Sequence, residues 1–99
     1  MAYEIRIASA ARRAIHKLPA QIQVAVLAKL DELSEDPRPA GCEKVKELAR
    51  YGVFRVKIER DYRILYQVRD AAAWVLVVKV ADRKEVYERL DDLKRYLKS

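Results

Sequence analysis

Phe54-Arg55-Val56-Lys57-Ile58-Glu59-Arg60-Asp61-Tyr62-Arg63-Ile64-Leu65-Tyr66-Gln67-Val68 reads as two short strands joined by a tight polar turn. Phe54, Val56 and Ile58 alternate with Arg55, Lys57 and Glu59, the period of two expected of a half-buried strand. Tyr62, Ile64, Tyr66 and Val68 alternate in the same way with Arg63, Leu65, Gln67 and Arg69. Glu59-Arg60-Asp61 is short and polar enough to close a hairpin. If both apolar sets enter one core, Ile58 must face Tyr62, because a slip of one residue turns one set out to water. Lys57 then lies opposite Arg63, with Arg55 two residues along the same face. Like charges opposed across a strand pair are destabilising. Such a cluster is either well hydrated or built to hold an anion, and the pattern alone leaves both readings open.

Working outward, Tyr3-Glu4-Ile5-Arg6-Ile7 alternates and predicts a first strand. Ser9 is placed to cap a short helix running to about Lys17. Pro19 stands where a second helix can begin, since a first-turn proline sacrifices no helical hydrogen bond. Ile22, Val26, Leu30 and Leu33 then form one apolar stripe. Asp36-Pro37-Arg38-Pro39-Ala40-Gly41 ends that helix. Lys44 to Leu48 is read as a short strand or an irregular approach to the hairpin. Trp74 to Val80 is apolar on both faces, which predicts a central or doubly covered strand. From Arg83 onward, Val86, Leu90, Leu93 and Leu97 recur at spacings that predict a C-terminal amphipathic helix. The order β-α-α-β-β-β-α describes a small α+β domain spanning residues 1–99. Its sheet is twisted and largely antiparallel, with a helical pair on one face.

The chain has 99 residues, which suits one modest core, and 52% of them are hydrophobic with only two Gly and three Pro. A net charge of +6 favours a polyanionic partner such as nucleic acid; an acidic protein satisfies the same charge. Cys42 is the only cysteine and His16 the only histidine, so neither a disulfide framework nor a multi-cysteine metal site is expected. We expect no cofactor and no metal. No signal peptide and no apolar run of about 18 residues is visible, which leads to a cytoplasmic expectation with no membrane partner.

The strand, the two helices, the Asp-Pro-Arg-Pro break, Asp61-Tyr62-Arg63-Ile64-Leu65-Tyr66 and Arg83-Lys84-Glu85-Val86-Tyr87 together resemble the RelE/ParE toxins of type II toxin–antitoxin pairs. The resemblance covers nearly the whole chain and is closest to the RelE branch. It implies an endoribonuclease that cleaves messenger RNA in the ribosomal A site and so arrests translation. Its partners are then a cognate antitoxin protein and the ribosome with bound mRNA. The ParE branch keeps the fold and inhibits DNA gyrase instead, so a gyrase inhibitor without nuclease activity is the alternative. A nucleic-acid-binding module that has lost toxicity is a third. Matching the family's motifs places Arg55, Lys57, Arg63, Arg83 and Tyr87 at its functional positions. Three features depart from the pattern: Arg55 stands where a lysine is common, Ala81-Asp82 precedes Arg83 in place of Gly followed by His or Lys, and the Glu59-Arg60 turn lacks a glycine.

The residues suit that chemistry. RNA is cut by its own 2′-hydroxyl when a base takes the hydroxyl proton, cations stabilise the phosphorane and an acid protonates the departing 5′-oxygen. Histidine usually moves such protons, and this chain cannot supply a histidine pair. Lys57, flanked by Arg55 and Arg63, is a candidate base, because neighbouring like charge lowers a lysine pKa. Arg63 and Arg83 can brace the nonbridging oxygens, and Arg83 is a candidate proton donor to the leaving oxygen. Tyr87 has several readings: proton transfer, stacking on a base, or packing beside Val86 and Leu90. Lys44 and Lys46 are candidate RNA contacts, with a solvated face as the plain alternative. Tyr62, Tyr66 and Trp74 are read as core.

Overall fold

The computed structural model describes residues 2–97. Five strands, β1 (Glu4–Ile7), β2 (Glu43–Lys44), β3 (Val53–Ile58), β4 (Tyr62–Arg69) and β5 (Trp74–Asp82), form one sheet in the order β1-β5-β4-β3-β2. β1 runs parallel to β5 and every other pair is antiparallel. The hairpin register is the one the two apolar sets require: Ile58 pairs with Tyr62 and Lys57 with Arg63. Its turn is closed by Glu59 at φ 52°, a conformation for which glycine is the usual choice.

Helices α1 (Ser9–His16) and α2 (Ala20–Glu35) cover one face of the sheet. Ser9 is the first residue of α1; the capping position belongs to Ala8, and no side chain bonds the open amides there. The anticipated serine cap is therefore absent. Pro19 occupies the equivalent position before α2. Gln23 satisfies the end of α1, its amide donating to the carbonyls of Leu18 at 2.9 Å and His16 at 3.3 Å. The α2 stripe of Ile22, Val26, Leu30 and Leu33 is buried against Val56, Ile58, Ile64, Tyr66, Val75 and Val77. Tyr66 is buried and donates its hydroxyl to the Pro37 carbonyl, so burial pushes the phenol pKa far up. Trp74 is also core, with Arg6 and Arg69 over its ring.

The opposite face carries a second apolar cluster: Val45, Leu48, Val53, Leu65, Val78, Val86, Leu93 and Leu97. The expected C-terminal amphipathic α-helix does not form among the described residues. Residues 83–89 form successive turns, and only a 3-10 helix, Leu90–Arg95, follows. Arg89 sits at φ 55°, a left-handed conformation that no α-helix can pass through. The apolar spacing was met by packing all the same, since Val86, Leu93 and Leu97 are buried on the sheet. Burial of each stabilises the fold by about 1.5–3 kcal/mol, enough to override local helix propensity. The approach to the hairpin is β2 followed by a 3-10 helix, Lys46–Tyr51.

At one end of the sheet a single carboxylate joins three segments. Asp70 accepts from the Tyr3 hydroxyl at 2.7 Å and from both terminal nitrogens of Arg38 at 3.1 and 2.8 Å. The Arg38 guanidinium and the Tyr3 hydroxyl hold the Asp70 carboxyl at about 2, below its ordinary 3.8. A carboxyl with a lowered native pKa stabilises the fold above its unfolded pKa, and that contribution disappears as pH falls through the native value. Asp70→Asn is therefore expected to lower the urea midpoint at neutral pH. The gap from the wild type should close as pH falls from 3.8 towards 2. A gap independent of pH would show that the carboxylate charge contributes nothing.

Candidate nucleic-acid interface

The second face of the sheet is divided by its own registers. Val53 pairs with Gln67 and Arg55 with Leu65 at the apolar end, whereas Lys57 pairs with Arg63 at the hairpin end. Apolar residues attract the C-terminal segment to one half, and the cations occupy the remainder.

Arg63 is only 9% exposed, which the alternating pattern did not anticipate for a cation of the polar face. The tight turn explains its burial: one terminal nitrogen donates to the carbonyls of Arg60 at 3.1 Å and Tyr62 at 3.0 Å. Its Nε is buried and has no hydrogen-bond partner. No carboxylate among the described residues forms an ion pair with it. A buried guanidinium without a counter-ion is costly. Of the two readings of the cationic cluster, free hydration does not describe Arg63. Lys57, its cross-strand neighbour, is exposed.

Arg55 and Tyr87 meet directly. One terminal nitrogen of Arg55 donates to the Tyr87 hydroxyl, and the guanidinium lies 5.6 Å from the centre of the ring. Tyr87 is 39% exposed, so the packing reading of this residue fails. Lys44, Lys46, Glu43, Glu47, Arg55 and Tyr87 line one shallow depression of about 350 Å³. The two lysines thus belong with Arg55.

Arg83 sits apart from that depression. It lines a second one of about 230 Å³ with Asp61, Asp82 and Lys84. Its amide donates to the Asp61 carbonyl at 2.7 Å, and its Nε lies 3.9 Å from the Asp61 carboxylate. Both side chains are more than half exposed, and such a pair is weak. Because residues 83–89 form turns, the four-residue spacing of Arg83 and Tyr87 does not place them on a common helical face.

Four further features hold this region. The Asp82 carboxylate accepts the amides of Lys84 and Glu85, each at 2.9 Å, and so caps the turn that leads to Tyr87. Its departure from the family pattern has a local structural use. The Lys79 ammonium donates to the Glu88 carbonyl at 2.5 Å, next to Tyr87, and burial lowers its pKa. A register shift between Leu65 and Tyr66 lets β5 carry an extra residue near Val78 and Lys79. Glu43 pairs with Arg55 across β2 and β3, with 2.5 Å between carboxylate and guanidinium. Only the Asp82 contact had a sequence signal, an aspartate two and three residues before the amides it receives. Among the described residues, no group of three or more His, Cys, Asp and Glu side chains is placed to hold a metal ion. No helix there is long and apolar enough to cross a membrane.

Comparison with known proteins agrees with this architecture. The family described as the ParE toxin of the type II toxin–antitoxin system, parDE, matches residues 5–87. Toxin RelG of Mycobacterium tuberculosis (strain ATCC 25618 / H37Rv) is 36% identical over 90 residues, covering 90% of this chain and 100% of the relative. The structure of the toxin–antitoxin complex RelBE2 from Mycobacterium tuberculosis contains a chain that superposes with a TM-score of 0.71 at 33% identity, covering 84% of this chain and 100% of that one. A variant of the E. coli toxin RelE in the free state gives a TM-score of 0.77 at 26% identity, covering 97% and 98%. The intact E. coli RelBE toxin–antitoxin complex gives 0.70 at 28% identity, covering 81% and 95%. With a strand, a helical pair and an antiparallel hairpin sheet in this order, and with relatives of this extent, the chain belongs to the ParE toxin family within the RelE/ParE superfamily and is a toxin of a type II toxin–antitoxin system.

Proposed function

We propose that this toxin is a ribosome-dependent endoribonuclease that cleaves messenger RNA in the ribosomal A site and thereby inhibits translation. The observation that carries the reading is Arg63: a buried guanidinium with an unpartnered Nε and, among the described residues, no counter-ion, beside the exposed Lys57. An arriving phosphodiester supplies the missing anion, and charge-assisted bonds to its oxygens strengthen as the phosphorane forms.

In this scheme the 2′-oxygen bonds to phosphorus as Lys57 takes its proton, and the bond from phosphorus to the 5′-oxygen then breaks. The products are a 2′,3′-cyclic phosphate and a 5′-hydroxyl. Arg63 stabilises the added charge, and Arg83, on the adjoining turn, approaches from the Asp61 side to stabilise or protonate the leaving oxygen. Tyr87, held by Arg55, offers an aromatic face to a splayed base. Lys44, Lys46 and Arg55 supply phosphate contacts along the neighbouring depression. The reading places the toxin in the cytoplasm, where its partners are the translating ribosome and a cognate antitoxin. Several structural relatives are described as toxin–antitoxin complexes.

A second reading, inhibition of DNA gyrase without nuclease activity, is favoured by the ParE description of the matching family. Primer extension on messenger RNA from translating ribosomes, run beside a gyrase supercoiling assay, separates the two. We expect new 5′ ends within codons at the A site and unaltered supercoiling. Intact messages with blocked supercoiling would reverse the assignment.

A further inference from the structure

We propose that the Glu43 carboxylate occupies, in the free toxin, the seat of an RNA phosphate on Arg55, and that RNA enters this part of the site by displacing it. The proposal rests on the reading of this face as an RNA site. Arg55 projects from β3 with one terminal nitrogen on Tyr87 and the other on Glu43 at 2.5 Å. Both of its terminal nitrogens are therefore engaged before any substrate arrives. A guanidinium presents the same fork of donors to a carboxylate as to a phosphodiester, so the two anions compete for one edge.

The surroundings make exchange easy. Glu43 is 58% exposed and belongs to a strand of two residues at the edge of the sheet. Its carboxylate can turn into water with little disturbance, and an exposed ion pair has little stability to lose. Arg55 is more enclosed, at 28%, and remains tied to Tyr87 while the anion changes. Lys44 and Lys46 line the same depression and are placed for the neighbouring phosphates. Glu43 thus weakens RNA binding while keeping Arg55 paired in the free protein.

The test is binding of a fluorescent single-stranded 2′-O-methyl RNA, whose blocked 2′-oxygen prevents cleavage, to the full chain across a salt series. Glu43→Gln keeps the side-chain shape and removes the charge. It is expected to tighten binding by about threefold to tenfold at low salt, and to steepen the salt dependence by roughly 0.7 in log–log slope, the value for one more phosphate neutralised on a single strand. The gain should vanish in an Arg55→Gln background. Glu47→Gln, in the same depression, should give a clearly smaller gain. Unchanged or weaker binding by Glu43→Gln overturns the proposal, as does an equal gain from Glu47→Gln, which would indicate a general field effect. If the wild type does not bind the RNA at all, the reading of this depression as a phosphate site falls and takes the proposal with it. If the wild type binds and Glu43→Gln is inert, only the proposal falls.

Discussion

Arg63→Ala is expected to lower ribosome-dependent RNA cleavage by about 10²–10³-fold, the scale of losing one preorganised donor to a developing anion. The guanidinium is held by two main-chain carbonyls of its own hairpin, so it is already oriented when substrate arrives. Its stability effect should be small. Removal forfeits those two bonds, each of about 1 kcal/mol net. It also relieves an unpaired buried charge and its repulsion with Lys57 across the strand pair. A melting midpoint within a few degrees of the wild type is expected, with a native circular dichroism spectrum. Lys57→Ala should show a comparably large loss of cleavage, and because Lys57 is exposed its fold should be untouched. Full activity in the Lys57 variant, or an unfolded Arg63 variant, would make this face structural.

Cleavage of naked messenger RNA should be weaker than cleavage on programmed ribosomes by at least about 10³-fold, since orientation of reactants alone is worth several kcal/mol of barrier. The chain's single histidine, His16, ends α1 on the other face of the sheet. Lysine, arginine and tyrosine ordinarily titrate far from neutrality and are poor proton-transfer groups there. Such a site depends on a substrate held in line for attack, and the ribosome holds messenger RNA along a defined path. Single-turnover rates with the same message, free and ribosome-bound, measure the difference directly. Comparable rates would show that the chain aligns RNA unaided.

Local pattern decided the hairpin register, the α2 stripe and the end of α2. A strand pair with alternating faces admits one pairing that buries both apolar sets, and Pro37 and Pro39, falling after the last turn of α2, cannot continue that helix. The pairing of Lys57 with Arg63 follows from that register, and the prominence of both in the candidate site was therefore visible in the residues alone. The placement of Arg83 and Tyr87 was not. Apolar spacing from Val86 to Leu97 is compatible with an α-helix or with a chain of turns bearing on the same cluster. The choice depended on how Val86, Leu93 and Leu97 reach the sheet, with Arg89 left-handed between them.

Sequence by itself determined the α+β class, the hairpin and the cationic row, because these depend on residue type and on contacts a few positions apart. Only the tertiary structure decided which of those cations are burdened by neighbours. The engagement of Arg55 by Glu43 and Tyr87 arises where separate segments meet, and Arg63 is buried with no counter-ion among the described residues. Electrostatic interaction depends on distance and burial, and a linear pattern encodes neither across a dozen or more residues.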